Sequence, residues 1–127
     1  MNGSEFHITR LATGLSGAEL AKKINKSART LREYEARKFE PAQESAQGLQ
    51  DIFHSMTEKL EPLMHLRTNT PTRTFYLYDS VETLHAAHPG EYDTWTLEMY
   101  RHYLTHAITI LTLKNIPYRI LNPKKDK

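Results

Sequence analysis

The sequence predicts a mainly α protein, with an N-terminal helical bundle followed by a small α+β domain. Apolar residues recur at three- and four-residue spacing through most of residues 3–66, which is the periodicity of helices that bury one face. A polar, turn-rich segment follows at 68–74, and short apolar runs at 74–78 and 116–121 are typical of strands. The predicted domain organisation has three parts: 1–41, a long connecting helix over 42–67, and 68–127.

The composition is that of a soluble globular protein. The chain has 127 residues, of which 39% are hydrophobic and 25% charged, enough for one domain or two small domains that share a core. Its longest apolar run, residues 107–113, falls far short of the roughly 20 residues that cross a bilayer. The N-terminus has no signal-like segment, so we expect a cytoplasmic protein with no membrane association. The absence of cysteine excludes disulfides and thiolate chemistry.

Capping signals place two short helices at the start of the chain. A first helix is predicted over residues 3–13, and Gly14 ends it. Its inward-facing residues are expected to be Phe6, Leu11 and Ile8. Ser16 and Glu19 then form a capping-box signature, in which the hydroxyl and the carboxylate each bind an otherwise unpaired backbone amide. The second helix is therefore predicted over 17–24.

A third helix follows after a tight turn. Asn25 is expected to adopt a left-handed backbone, which asparagine tolerates better than most residues. Ser27 then caps a helix that runs to about Arg37 and turns Leu31 and Tyr34 toward the core. Its outward-facing residues are predicted to be Arg29, Arg32, Glu33 and Arg37.

The C-terminal domain is predicted to combine its two strands with two helices. Pro117 confines the second strand to a sheet edge or a strand start, because proline donates no ladder hydrogen bond. Ser80 caps a helix that reaches about Ala87. Residues 94–113 form the longest helical stretch of this half, although the β-branched run at 108–112 is also compatible with a strand.

Positive charge is concentrated in one segment of the chain. The net charge is only +2, yet residues 22–38 contain seven Lys or Arg and two Asp or Glu. A basic tail over 114–127 is the second positive segment, whereas residues 71–113 are acidic overall. A basic block on an almost neutral chain indicates either a surface that binds a polyanion or a solvated helix face, and charge alone does not distinguish the two.

The most basic segment also has the pattern of a helix-turn-helix. Two short helices are joined by a turn at 24–27, and Ala21 lies on the inner side of the first helix, where a small side chain lets the second cross closely. In such a unit the second helix enters the DNA major groove, where an arginine fork can bind guanine O6 and N7.

Several residues of this unit also match the motifs of a known family of DNA-binding domains. The motifs are Gly14-Leu15-Ser16, Glu19-Leu20-Ala21, Ser27, Leu31 and Glu35. With them the chain closely resembles the Xre family of lambda-repressor-like DNA-binding domains, over about residues 5–41. It departs from the family in two places, because the family usually has glycine where Asn25 stands and often near Ala36 and Arg37.

The resemblance implies which residues contact DNA. The base-facing positions are occupied by Lys26, Ala28, Arg29, Arg32 and Glu33. The positions at which the family contacts phosphates are occupied by Ser16, Gly17, Lys22, Ser27, Arg37 and Lys38. Phosphate contacts set the register on the duplex, and base contacts read its sequence.

The C-terminal half carries a second resemblance. Thr74-Phe-Tyr-Leu-Tyr-Asp, a short helix ending before His88-Pro-Gly, and a helical stretch containing Trp95 occur in the same order in the YdiL-like and anti-CRISPR-associated repressors, to which this half is similar. Those proteins join a helix-turn-helix to a small dimerisation domain, so a homodimer is expected. The interface residues are predicted to be Phe75, Leu77, Trp95, Tyr100, Leu104 and Ile108.

The sequence as a whole predicts a DNA-binding regulator. We expect a dimeric repressor that binds inverted-repeat operators in double-stranded DNA near its own gene, with no cofactor. The alternative is an interaction module, such as an antitoxin-like protein that sequesters a protein partner.

Other chemistries have weaker support. His102 and His106 are spaced as two zinc ligands on one helix, but Tyr103 stands where a metalloprotease has glutamate, so no metal site is expected. Neither an acid/base pair nor a glycine-rich phosphate loop is evident, and no enzymatic activity is expected. The aromatic residues between 75 and 103 are compatible with RNA stacking, yet their acidic surroundings favour packing in a core or interface.

Overall fold

In a computed structural model, the described residues 1–124 form six helices and one sheet of two strands. The mainly α fold class is confirmed. In chain order the elements are α1 (Gly3–Thr13), α2 (Gly17–Lys23), α3 (Ala28–Glu35), α4 (Gln43–Met64), β1 (Arg73–Tyr76), α5 (Val81–Ala87), α6 (Leu97–Leu113) and β2 (Tyr118–Leu121). None of these helices has the length and apolar character needed to cross a membrane. The end of the predicted basic tail, 125–127, lies outside the described residues.

The chain divides into two compact units inside α4. The N-terminal unit is Met1–Lys59 and the C-terminal unit is Leu60–Lys127. The division therefore lies within the helix predicted over 42–67, and not at its two ends. The buried residues of α4 are shared accordingly, with Ser45, Leu49 and Met56 in the N-terminal unit and Leu60 and Leu63 in the C-terminal unit.

Side-chain caps start the first three helices of the N-terminal unit. Ser16 and Glu19 form the predicted capping box at α2, and the Oγ of Ser27 caps α3 by accepting from its third amide at 3.0 Å. Asn2 and Glu5 make a further capping box at α1. The first amides of a helix have no partner inside it, so these caps determine where each helix begins.

The prediction for the inner face of α1 is wrong at two positions. Ile8 and Leu11 are 62% and 47% exposed, whereas Phe6 is fully buried. The ring of Phe6 packs edge-on against Tyr34, with 5.4 Å between centroids. Successive helical residues turn by about 100°, so Ile8 and Leu11 lie on the face opposite to Phe6. The bundle covers the Phe6 face, and the two aliphatic side chains remain in solvent.

The C-terminal unit contains a parallel pair of strands. β1 and β2 pair from Arg73 opposite Tyr118 to Tyr76 opposite Leu121. Pro117 immediately precedes β2, as expected, and its carbonyl accepts from the Arg73 amide at 3.0 Å. Both predicted strands are confirmed within two residues at each end. Parallel strands require a long crossover connection, which α5 and α6 supply.

The helices of the C-terminal unit start at side-chain caps. Ser80 caps α5 as predicted, and Thr96 caps α6 by accepting from the Met99 amide at 3.1 Å. The run 108–112 is helical, which settles the alternative that its β-branched residues left open. Ala107 and Leu111 are fully buried one turn apart, so packing of a single helix face outweighs the strand preference of the run.

Candidate functional site

The α2–α3 pair is joined by the tight turn that the sequence predicts. α2 is capped at Ile24, and Asn25 has a φ of 57°, the left-handed backbone expected for it. The amide of Lys26 donates to the carbonyl of Ala21 at 2.9 Å and closes the turn. Ala21 itself is buried, and its small side chain allows α3 to pack closely against α2.

α3 has one buried face and one charged face. Leu31 and Tyr34 are buried, as predicted. The side chain of Arg29 is 80% exposed, and Arg32 is exposed as well. These two arginines are three residues apart, so they lie on the same side of the helix. We call this side the α3 surface and define it by Ala28, Arg29, Arg32 and Glu33.

Arg29 and Glu33 form an ion pair on this surface. The Nε of Arg29 lies 3.0 Å from the Oε1 of Glu33, one helical turn further along. Glu33 is the more enclosed partner, with 25% of its side chain exposed. Arg32 makes no salt bridge with any residue in the described part of the chain. The two arginines therefore differ, since one is held by a carboxylate and the other is not.

Lys26 is held from a different helix. Its Nζ donates to a carboxylate oxygen of Glu44, near the start of α4. The hydrogen bond to Glu44 raises the pKa of Lys26, and the same bond lowers the pKa of Glu44. Lys26 is therefore a fully charged ammonium that already has an acidic partner. The sequence analysis missed Glu44, because residues 18 positions apart share no local pattern.

A largely buried carboxylate fixes the end of α3. The Oε1 of Glu35 accepts from the Nε of Arg10 at 2.9 Å and lies 2.5 Å from the Nδ1 of His7, both on α1. Arg10 also donates through Nη1 to the carbonyl of Leu15 at 2.9 Å. These bonds join α1, the connection before α2 and the end of α3. The sequence singles out Glu35 but neither of its partners, which are 25 and 28 residues away.

The backbones of α1 and α3 also approach each other closely. A β-carbon on Gly3 would lie 2.1 Å from the carbonyl oxygen of Tyr34, so only glycine fits at the start of α1. At the exit from α3, Arg37 has a φ of 60°. This is the left-handed conformation that favours glycine, and it occurs where the Xre family often has glycine. The Nη1 of Arg37 lies 3.4 Å from the Oγ of Ser4.

The residues expected to contact phosphates fall into three groups. The hydroxyls of Ser16 and Ser27 are engaged as helix caps. A β-carbon on Gly17 would meet no described atom within 4 Å, so the space at the start of α2 is open. The third group consists of exposed cations, which are Lys22, Arg37 and Lys38.

Three of the predicted interface residues lie inside the C-terminal unit. Trp95, Tyr100 and Leu104 are buried. The Trp95 and Tyr92 rings are 4.7 Å apart, and the hydroxyl of Tyr100 donates to the carbonyl of Tyr76 at 2.8 Å. Side chains so enclosed offer almost no area to a second chain, so these three belong to the core. The other three predicted interface residues are half-buried, and their role stays a prediction: Phe75, Leu77 and Ile108.

The core of the C-terminal unit is rich in tyrosine. Burial raises the pKa of Tyr78, Tyr92, Tyr100 and Tyr103 above the ordinary phenol value. All four hydroxyls are therefore protonated at neutral pH and act as neutral packing groups. The hydroxyl of Tyr78, for example, lies 3.0 Å from the Nε2 of His88.

Two histidines of this unit, His85 and His102, contact backbone carbonyl groups. The Nδ1 of His102 lies 3.0 Å from the carbonyl oxygen of Glu98 one turn earlier, and the Nε2 of His85 lies 3.2 Å from that of Trp95. Within residues 1–124, no three His, Asp or Glu side chains come together in a way that could hold a metal ion. The spacing of His102 and His106 thus has no third ligand among these residues.

No protein family matches the sequence of this chain, and no curated protein is significantly similar to it. The likeness to the Xre family therefore stays a prediction. What the molecule binds has to be inferred from its own surfaces. The α3 surface has the clearest chemistry, because it combines exposed arginines with a helix that is firmly attached to α1 and α2.

Proposed function

We propose that this chain is a sequence-specific regulator that binds double-stranded DNA, with α2 and α3 as a helix-turn-helix of the Xre, lambda-repressor-like type. The observation that carries the proposal is that α3 has one buried face and one exposed, charged face. Leu31 and Tyr34 attach the helix to its unit, while Arg29 and Arg32 extend into solvent on another side. A helix that packs against its own unit with one face and exposes arginines on another has the form needed to enter a major groove.

Most of the charged residues of α3 stand where the dipole of the free helix disfavours them. A helix N-terminus carries partial positive charge and favours acidic residues, and its C-terminus favours basic ones. α3 instead has Arg29 as its second residue, no acidic residue in its first turn, and Glu33 and Glu35 near its end, and only Arg32, in its last turn, is placed favourably. A polyanion at the start of α3 compensates for this arrangement, which supports DNA as the ligand.

Phosphate contacts are proposed to flank the α3 surface. The exposed cations Lys22, Arg37 and Lys38 would neutralise phosphates on either side of the groove. The open space at Gly17 lets a phosphate oxygen approach the backbone amides at the start of α2. These contacts supply affinity without sequence preference, which is left to the base contacts of α3.

Two copies are proposed to act together as a homodimer. A two-fold dimer reads two inverted half-sites about 10 base pairs apart, and joining two binding units raises affinity through effective concentration. The C-terminal unit would supply the contact between copies, with Phe75, Leu77 and Ile108 as its half-buried apolar candidates. Repression follows where the operator overlaps a promoter, and we propose the promoter of the protein's own gene. No cofactor takes part.

Selection of bound sequences from random DNA, with the full-length protein, tests this proposal. We expect an inverted repeat whose half-sites lie one helical turn apart. Arg32→Ala should weaken binding to the selected sequence by about 1–3 kcal/mol and relax the preference at one base pair in each half-site. Arg67→Ala removes an exposed cation of the C-terminal unit and is the matched control. If Arg32→Ala weakens selected and random DNA equally, base reading by α3 is refuted.

A further inference from the structure

We infer that Glu33 is a positioning residue, which sets sequence specificity by orienting Arg29 and does not itself contact a base. The inference rests on the proposed function and deepens it. It assigns the two charged residues of one ion pair different tasks at the same base pair, with the arginine as the reader and the carboxylate as its support.

The geometry of the pair leaves one edge of the guanidinium available. Arg29 donates to Glu33 through Nε, at 3.0 Å. Neither terminal nitrogen of Arg29 has a partner among the described residues. A guanidinium is a planar group with a rigid set of donors, so fixing Nε also fixes the direction of the two terminal nitrogens. Those two nitrogens form the fork that matches guanine O6 and N7.

Exposure assigns the roles within the pair. Arg29 projects from the α3 surface with 80% of its side chain exposed, while Glu33 is recessed at 25%. A carboxylate that faced the groove on its own would be repelled by the phosphates and could accept only from the amino group of cytosine. Paired with Arg29, its charge is compensated. The projecting member of the pair is therefore the arginine.

Helix stability does not explain the pair. An arginine followed four residues later by glutamate is the less favourable order, and exposed pairs of this kind contribute little to folding. The value of the contact lies in preorganisation, because a side chain already held in its binding orientation loses less rotamer freedom on association. Among residues 1–124, no carboxylate supports Arg32 in this way, so the preference at the base pair of Arg29 should be the stronger one.

A double-mutant cycle on the full-length protein tests the inference. The proteins are wild type, Arg29→Ala, Glu33→Ala and the double variant. The selected DNA sequences identify the guanine whose preference disappears in Arg29→Ala. For each protein, Kd is then measured on the selected DNA and on DNA with that base pair replaced. The ratio of the two values reports discrimination at one base pair, which a general loss of fold or of phosphate contacts would not change selectively.

We expect wild type to discriminate at this base pair by about tenfold or more. Glu33→Ala should lose most of that ratio although Arg29 is still present. Arg29→Ala and the double variant should both have a ratio near 1, because Glu33 has nothing left to orient. Glu33→Gln keeps a carbonyl acceptor for Nε and should retain most of the discrimination, and it also guards against a folding defect in Glu33→Ala.

Three results would contradict the expectation. An unchanged ratio in Glu33→Ala overturns the inference. So does a loss of preference at a different base pair that persists in the Arg29→Ala background, because Glu33 would then be reading a base directly. Both results leave the proposed function intact. If the wild-type protein selects no sequence at all, the proposed function fails and the inference fails with it.

Discussion

The two units of this chain place their most informative side chains in opposite environments. In the N-terminal unit, Arg29 and Arg32 were expected on the surface and are exposed. In the C-terminal unit, Trp95 and Tyr100 were expected at an interface and are buried in the unit's own core. Burying a guanidinium without partners is very costly, so its exposure follows from residue type. An apolar stripe is satisfied equally well by its own chain or by a partner, and periodicity cannot tell the two apart.

The largest expected effect concerns the tyrosines of the C-terminal unit at alkaline pH. Their pKa is raised in the folded chain, so the unfolded chain releases these protons first as pH rises above about 10. Stability is fully present below that pH. Above it, stability should fall by about 1.4 kcal/mol per pH unit for each tyrosine that stays protonated. Denaturant unfolding followed by the fluorescence of Trp95, the single tryptophan, measures this fall.

Tyr92→Phe is the control for the alkaline loss. It removes one of the titrating groups while keeping the ring, so the stability of the variant should fall less steeply with pH, by about 1.4 kcal/mol per pH unit. An unchanged slope would show that Tyr92 ionises as readily in the folded chain as in the unfolded one.

Leu111→Ala should have the next largest effect. Leu111 is fully buried on α6, and its truncation leaves a cavity that should lower the free energy of unfolding by about 2–5 kcal/mol. Leu113→Ala on the same helix is the matched control, because Leu113 is highly exposed and its truncation should change stability by less than about 0.5 kcal/mol. Equal losses in the two variants would mean that the buried face of α6 is misassigned.

Gly3→Ala tests the attachment of α3 in the N-terminal unit. The added methyl group would press on the Tyr34 carbonyl and force α1 away from α3, at a cost of about 1–3 kcal/mol. DNA affinity should fall together with thermal stability, because the α3 surface depends on this contact for its position.

Gly17→Ala is the matched control for Gly3→Ala, since each glycine is the first residue of a helix. Its methyl group meets open space, so stability should be kept or should rise by about 0.4–1 kcal/mol. Affinity for all DNA should nevertheless drop if a phosphate approaches the start of α2. Unchanged affinity would remove Gly17 from the proposed phosphate contacts.

The smallest effect is expected at two of the left-handed residues, Arg37 in the N-terminal unit and Asn115 in the C-terminal unit. Arg37→Gly and Asn115→Gly relieve a positive φ of 60° and 56°, and each should gain up to about 1 kcal/mol in thermal unfolding. Only Arg37→Gly removes a proposed phosphate contact. It should therefore weaken DNA binding while stabilising the chain, whereas Asn115→Gly should leave binding unchanged. If the two variants bind DNA with the same affinity, a phosphate contact at Arg37 is excluded.

Most of the local structure was predictable from the sequence, whereas many of the contacts between helices were not. The caps at Ser16, Ser27 and Ser80 and the turn at Asn25 are confirmed, because each acts through groups within a few residues along the chain. The bond from Lys26 to Glu44 escaped prediction. The need for glycine at position 3 also escaped prediction, because a glycine at the start of a helix does not by itself indicate a close contact with another helix.

The amino-acid sequence by itself determined where the helices start, which faces of α2 and α3 turn inward and where positive charge concentrates. These properties depend on short-range hydrogen bonds, on helical periodicity and on the cost of burying charge. Only the tertiary structure decided that Ile8 and Leu11 stay exposed and that Trp95 lies in a core. It also decided that Glu35 ties α3 to His7 and Arg10. Such outcomes depend on which distant segments come into contact when the chain folds, and local sequence patterns contain no information about those contacts.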